Sequence, residues 1–247
     1  MYFSFRGKVF IGPRTTGGNP GKMRWLGNMP DLTLSLATEE EQHTESYSGQ
    51  DLTDEIIETA RNASLSGTIE NFDSDNVQLL TRSKKTAITG AAVTNEVLPT
   101  GLVAGDSVLL AHQGVSAFSL KDSAATPVTV NTVDYELRAA GGGLTMKSVG
   151  SYTQPFKADY TYSAAVQLAL LSAAPIDQWL RFEGVNKKDL TPIIMDIYRI
   201  QAKPTSEFGL IHSAQGSWKL DAAALVDDKK AADGDLGQFG RIITLGS

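Results

Sequence analysis

The residues able to carry acid–base, nucleophilic or metal chemistry in this chain are few and scattered. Its 247 residues hold three histidines, His43, His112 and His212, and no cysteine. None of the histidines has a second histidine or an acid at the spacing of a helical zinc motif. Without thiols there is no cysteine nucleophile, disulfide or thiolate metal site. The glycine elbow that exposes a nucleophilic serine and the glycine fingerprint of dinucleotide binding are both missing. Gly18-Asn19-Pro20-Gly21-Lys22 lacks the upstream glycine and the following hydroxyl residue of a phosphate loop. Asp73-Ser74-Asp75 opens like a calcium loop, but the glycine and closing glutamate do not follow, and helix capping accounts for these acids. Two of the many carboxylates could meet as an acid–base pair, yet no spacing selects a pair. The sequence therefore predicts no catalytic, cofactor-binding or metal site, and a protein that is not an enzyme.

Charge is the more informative property. The net value of −6 conceals a strong segregation. Residues 1–30 carry Arg6, Lys8, Arg14, Lys22 and Arg24 and no acid; residues 31–81 carry twelve acids against Arg61 alone; the remainder is balanced. Such asymmetry suits self-association of unlike patches or an anionic surface, and a merely solvated acidic face is the plainer alternative. The basic segment with Trp25 has the residue types to stack on and neutralise nucleic acid, but the overall acidity opposes that use. Arg6 and Lys8 fall where the apolar core of a signal peptide would lie, and the apolar run 164–175 is shorter than the ~20 residues of a membrane helix.

The elements that must position any functional surface are mostly strands. From Leu26 to Arg82 polar and apolar residues alternate, Leu32, Leu34 and Leu36 against Asp31, Thr33 and Ser35, then Ala63, Leu65, Gly67 and Ile69 against Ser64, Ser66, Thr68 and Glu70. A period of two gives each strand one dry and one wet side, and the stretch reads as four strands in two hairpins. The acidic Ala37–His43 segment is expected to project as a loop or as a flared extension of the first hairpin. Asp73 or Ser74 caps a short helix through Arg82 that buries Val77, Leu79 and Leu80. Residues 3–12 form a first strand and 12–27 a long turn-rich loop. Strands are expected again at 179–184, 192–202 and from 216, before a partly flexible Gly-rich tail. Short β-prone runs at 97–150 suggest a β-rich insertion between two halves, 1–96 and 151–247. The fold class is mainly β, a sandwich or barrel with one packed short helix.

Several segments resemble the major tail tube proteins of long-tailed bacteriophages. They are WLGNMPDLTLSL at 25–36, EEQHTESYSG at 40–49, LRFEGVN at 180–186, DIYR at 196–199 and WKLD at 218–221, in the family's order across most of the chain. The 97–150 region departs from the smallest members. The resemblance implies a subunit assembled as hexameric rings that stack into a tube, each lending two long hairpins to a β-barrel of about 24 strands. At ~4.8 Å per strand and ~40° tilt, the channel is about 38 Å wide between side chains, and duplex DNA of roughly 20 Å passes. The implied partners are further copies of the chain, tape-measure and tail terminator proteins, and DNA in transit without specific binding. The resemblance further implies no membrane insertion and a place in the virion after assembly in the host cytoplasm. The competing reading is a monomeric β-sandwich module that binds carbohydrate or another surface.

Combined with the alternation, this assigns faces. Leu32, Leu34, Leu36, Leu65 and Ile69 should enter the subunit core, leaving Asp31, Thr33, Ser35, Ser64, Ser66, Thr68 and Glu70 to line the lumen. A hydroxyl-rich and anionic wall repels phosphates, so that DNA slides. The opposite charges on adjacent extended segments further suggest that Glu39, Glu40, Glu41 and Glu45 meet Arg14, Lys22 or Arg24 of a neighbouring subunit or ring.

Overall fold

The computed structural model describes residues 3–213, 215–231 and 234–245. The chain forms two compact units, one from residues 1–84 with 168–247, the other from residues 85–167. The first half of unit 1 contains β1 (Phe5–Pro13), β2 (Arg24–Trp25), β3 (Leu32–Thr44), β4 (Thr53–Ile69) and the helix α1 (Ser74–Thr81). Then follow β5 (Lys84–Ile88), β6 (Ala91–Val97), β7 (Ser107–Leu109), β8 (Val115–Lys121), β9 (Tyr135–Arg138), β10 (Gly143–Met146), β11 (Lys157–Tyr162) and β12 (Ala165–Ala169). The return to unit 1 supplies β13 (Gln178–Asn186), β14 (Pro192–Lys203), β15 (Trp218–Ala224) and β16 (Gly240–Thr244). The protein is thus mainly β, built from antiparallel sheets with one α-helix.

Unit 1 is organised around an eight-stranded sheet in the order β2-β1-β13-β14-β15-β4-β3, with β16 also on β14. β13 runs along one side of β14; on the other side β16 pairs with residues 193–197 and β15 with residues 200–203. The alternation read from the sequence is physical here. Ala63, Leu65 and Ile69 of β4 are buried, as are Leu220, Ala222 and Ala224 of β15, and the register places Leu65 between Leu34 and Ala222. Burying a side chain such as Leu65 or Ile69 contributes about 1.5–3 kcal/mol. α1 covers this core with Leu79 and Leu80 and packs against β14 and β15. Asp73 caps it, accepting from the Asp75 and Asn76 amides, and Arg82 ends it in the left-handed conformation at φ 48°.

Two buried carboxylates tie distant strands together. Asp196 of β14, wholly shielded from solvent, accepts hydrogen bonds from Trp179 (3.2 Å) and Arg181 (2.7 and 2.9 Å) of β13 and Arg241 (3.1 Å) of β16. Burial alone would raise its pKa, but these donors outweigh it and hold the carboxyl below the ordinary range. Asp227 is equally buried and takes Arg14 in a bidentate pair, at 2.5 and 3.0 Å, with the Lys229 amide at 2.9 Å. The Arg14 hydrogen bond lowers its pKa against the opposing effect of burial.

Unit 2 has its own core. The sheets β6-β11-β8 and β7-β10-β9 enclose Leu120, Leu144, Met146, Phe156, Ala158 and Tyr160. Its limits are wider than the 97–150 expected, because β6 and β11 pair directly and belong to it.

Three other expectations are corrected. The stretch from Leu26 to Arg82 makes one hairpin, not two: the acidic segment continues β3 and pairs with β4 as far as Thr44 opposite Thr53. The remaining strands of that region of the sheet, β14 and β15, come from the far end of the chain. Leu36 is not core but 73 % exposed, because the buried face ends at Ala63 and Ala224, at the mouth of an apolar groove with Ile242 and Phe239. The Gly-rich tail is ordered where it is described, by the Asp227 pair and by β16.

Replacing Asp196 with Ala leaves two arginines and an indole N–H without their shared acceptor, and is expected to cost about 3–5 kcal/mol in a chemical denaturation titration. Both carboxyls have depressed pKa values in the folded state. Their contribution is therefore complete above the ordinary carboxylate range near 3.9 and is lost as the pH falls through the lower folded values. Melting temperatures should stay level from pH 8 to about 5 and drop below about 4, and Asp227→Asn should flatten that acid limb.

Candidate assembly surface

The polar side of the sheet begins with residue types that the alternation leaves outside. Thr33 and Ser35 lie opposite Ser66 and Ser64, which in turn lie opposite Asp221 and Ala223 of β15, while Thr68 lies opposite Lys219. Lys203 and Gln201 of β14 extend the same rows beyond Asp221 and Ala223. The five β3 and β4 hydroxyl residues assigned to the lumen thus share one continuous face. Asp31 and Glu70 flank it, Glu70 held by the Asn28 side chain and Asp31 accepting the Thr68 amide through its carbonyl. The face is not purely anionic: Lys219 pairs with Asp221 at 3.6 Å, and Lys203 stands exposed. These β14 and β15 residues were missed because sequence alone gives no adjacency between strands some 150 positions apart.

Beyond Leu36 the hairpin becomes an arm. Every residue from Ser35 to Thr59 is exposed except Glu45, although strand pairing persists throughout. Eight residues of strand, Ala37 to Thr44, carry the ribbon about 25 Å out. Neither face is apolar enough to bury on its own: Glu40 lies opposite Glu58, Glu41 opposite Ile57 and Gln42 opposite Ile56. Two register shifts, after Glu39 and after His43, bend it. Arg61 pairs with Glu58, His43 Nδ1 lies 2.6 Å from the Asp54 carboxylate, and Glu39 accepts from Asn62.

At the tip the chain turns through Glu45–Leu52. Glu45 is 4 % exposed because its carboxylate folds back to accept the Tyr47 and Ser48 amides, each at 2.9 Å, and the Ser48 hydroxyl. The Ser48 hydroxyl bond, followed by the amides, lowers its pKa. Glu45 is therefore a turn-forming residue, not the intermolecular contact expected of it. Its loop presents Tyr47, 85 % exposed.

The basic N-terminal loop is corrected in the same way. Arg14 is consumed by Asp227 and Asp228 and is not available to a neighbour. Arg24 donates to the Asn76 side chain at 2.6 Å, and Lys22 is exposed. Trp25 is half exposed with the Lys8 ammonium over its ring, Trp179 is buried, and Trp218 stacks on Phe208 and lies tilted against Phe72. Beside that row, Leu210 and Ile211 in the loop before β15 are almost fully exposed. His112 stacks on Tyr162 within unit 2, and His212 lies 3.1 Å from the Gly209 carbonyl. Among the described residues no three histidine or carboxylate side chains converge as a metal site, and no helix is long and apolar enough to cross a membrane.

Residues 2–243 match the model of one protein family, described as Protein of unknown function UCP028589. None of the curated proteins compared with the chain matches it.

Glu45→Gln removes the charge that three donors converge on. Hydrogen exchange at the Tyr47 and Ser48 amides is expected to quicken at least roughly ten-fold, while core amides in β4 and β14 keep their protection. The same tip-specific loss should appear in the unmodified protein as the pH falls through the depressed Glu45 pKa.

Proposed function

The chain belongs to the family of UCP028589 proteins, and we propose, from its own geometry, that it is the structural subunit of a bacteriophage tail tube, acting without catalysis or cofactor. Hexameric rings stack into a hollow tube; β14, β15, β4 and β3 form the wall, and the hydroxyl-rich face lines a channel through which DNA passes unbound. Further partners are the tape-measure and tail terminator proteins.

The observation that carries this reading is the arm together with its root. A two-stranded ribbon with both faces wet is at best marginally stable in water, and β3 ends the sheet path with no strand on its outer side among the described residues. Leu36 and Ile242 border an apolar groove that runs from β3 across β4, β15 and β14 to β16. A ring in which β3 pairs with the next subunit covers edge and groove together, and stacking gives the arm a surface to lie on. The wall chemistry is compatible: hydroxyls and a Lys219–Asp221 pair offer phosphates little to hold, and the exposed Lys203 on the same face falls well short of the lysine-lined wall that would trap DNA by counterion release.

The aromatic row Phe72, Trp218 and Phe208 favours a second reading, a carbohydrate- or surface-binding module. Sedimentation velocity and negative-stain microscopy of the purified chain separate the two. Rings or tubes with an open channel are the expected outcome. A monomer at every concentration tested, with saturable binding to a glycan and loss of that binding in Trp218→Ala, would replace the tube reading by the module.

A further inference from the structure

Arginines in unit 1 are mostly spent inside the chain. Arg14, Arg61, Arg181, Arg199 and Arg241 each pair with a carboxylate of the same chain. Arg82 is different: its Nε is buried and has no hydrogen-bond partner among the described residues. Arg24 meets only the neutral Asn76 amide. These two arginines line one cleft of about 190 Å³ beside α1, together with Asp75, Gln78, Ser83 and Gln178. Gln178 also has a buried, unpartnered atom there, Oε1.

An unpartnered buried donor is costly, and a native chain keeps one where something else supplies the acceptor. Gln178 has no hydrogen bond fixing its amide, so rotation of that amide turns its N–H groups into the cleft beside the guanidinium. Two guanidinium groups and a free amide around a small cleft, against one acidic side chain, fit an oxyanion, and the planar fork of arginine fits a carboxylate. Acid without a base is found on the arm. Glu40, Glu41, Asp51 and Glu55 meet no cation of their own chain among the described residues, and Glu40 faces a second acid, Glu58. Arm and cleft are different patches, so a contact between them joins copies head to tail and does not close on a pair.

We propose that the Arg24–Arg82–Gln178 cleft is a carboxylate-binding site and that the carboxylate is supplied by the acidic arm of a second copy of the chain. The choice of carboxylate source rests on the self-assembly proposed above. The carboxylate site itself does not.

Two measurements on the full-length protein test the site and the source separately. Titration with glutarate, a small dicarboxylate, should raise the melting temperature of the monomeric protein by a few degrees, and the shift should vanish in Arg82→Gln and in Arg24→Gln. No shift, or an equal shift in the variants, overturns the site. In sedimentation, Arg82→Glu should raise the concentration needed for assembly roughly ten-fold or more, as should Glu40→Lys with Glu41→Lys on the arm, and the chain carrying all three changes should recover. A glutarate shift through Arg82 with assembly indifferent to Arg82→Glu leaves the cleft as a site for a free carboxylate and overturns the arm as its source. If the unaltered chain never assembles while glutarate still acts through Arg82, the tube reading fails and the carboxylate site stands.

Discussion

The structure turns on the place where the hydrophobic core stops and β-pairing does not. Up to the Leu34–Leu65 pair the β3–β4 ladder is backed by the core; at the next inward-facing pair Leu36 stands in solvent opposite the still buried Ala63. From there the ribbon is held by backbone hydrogen bonds and a few exposed side-chain pairs such as His43 with Asp54, and cross-strand pairs such as Glu40 with Glu58 work against it. A globular monomer gains nothing from such a projection, since ordering some sixteen strand residues costs conformational entropy that no burial offsets. Within one copy of the chain the arm is an unfavourable extension, and the self-association proposed above would give it a surface to cover.

The other side of the sheet is fastened by two carboxylates removed from water. Asp196 gathers β13, β14 and β16 around one carboxylate, and Asp227 fastens the N-terminal loop to the segment that follows β15. Both acids are saturated with donors, so the cost of desolvation is met at once and each strand's register becomes the condition for the others' satisfaction. The same pairing explains why Arg14, conspicuous as a free cation in the sequence, has no role at the surface.

Strand faces were legible in the sequence, because a period of two is a local property: Leu65 and Ile69 enter the core and Ser64, Ser66 and Thr68 stay out, as the alternation requires. The Asp73 cap was equally local. What could not be read were matters settled by distant parts of the chain. For the acidic run Glu39–Glu41 the sequence allows a loop or a flared extension of the hairpin, since charge excludes a core position while an exposed ladder tolerates it on both faces. Glu45 resembled its acidic neighbours, and only the turn geometry that brings three donors to it sets it apart. The polar-face residues Lys203, Lys219 and Asp221 needed knowledge that β15 lies beside β4, and the unpartnered Nε of Arg82 needed knowledge of what surrounds it.

Unit 2 is entered through β5 and left through β12, and these two strands pair with each other. Its two ends are therefore neighbours, and the insertion is a loop elaborated into a domain with its own core. A cut at that paired stem removes the whole of unit 2 without opening the sheet of unit 1, and another domain with adjacent termini can be spliced in its place. In a repeating assembly, one such exchange at the level of the gene would be displayed at every subunit, which makes the stem a natural grafting point for evolution or for engineering.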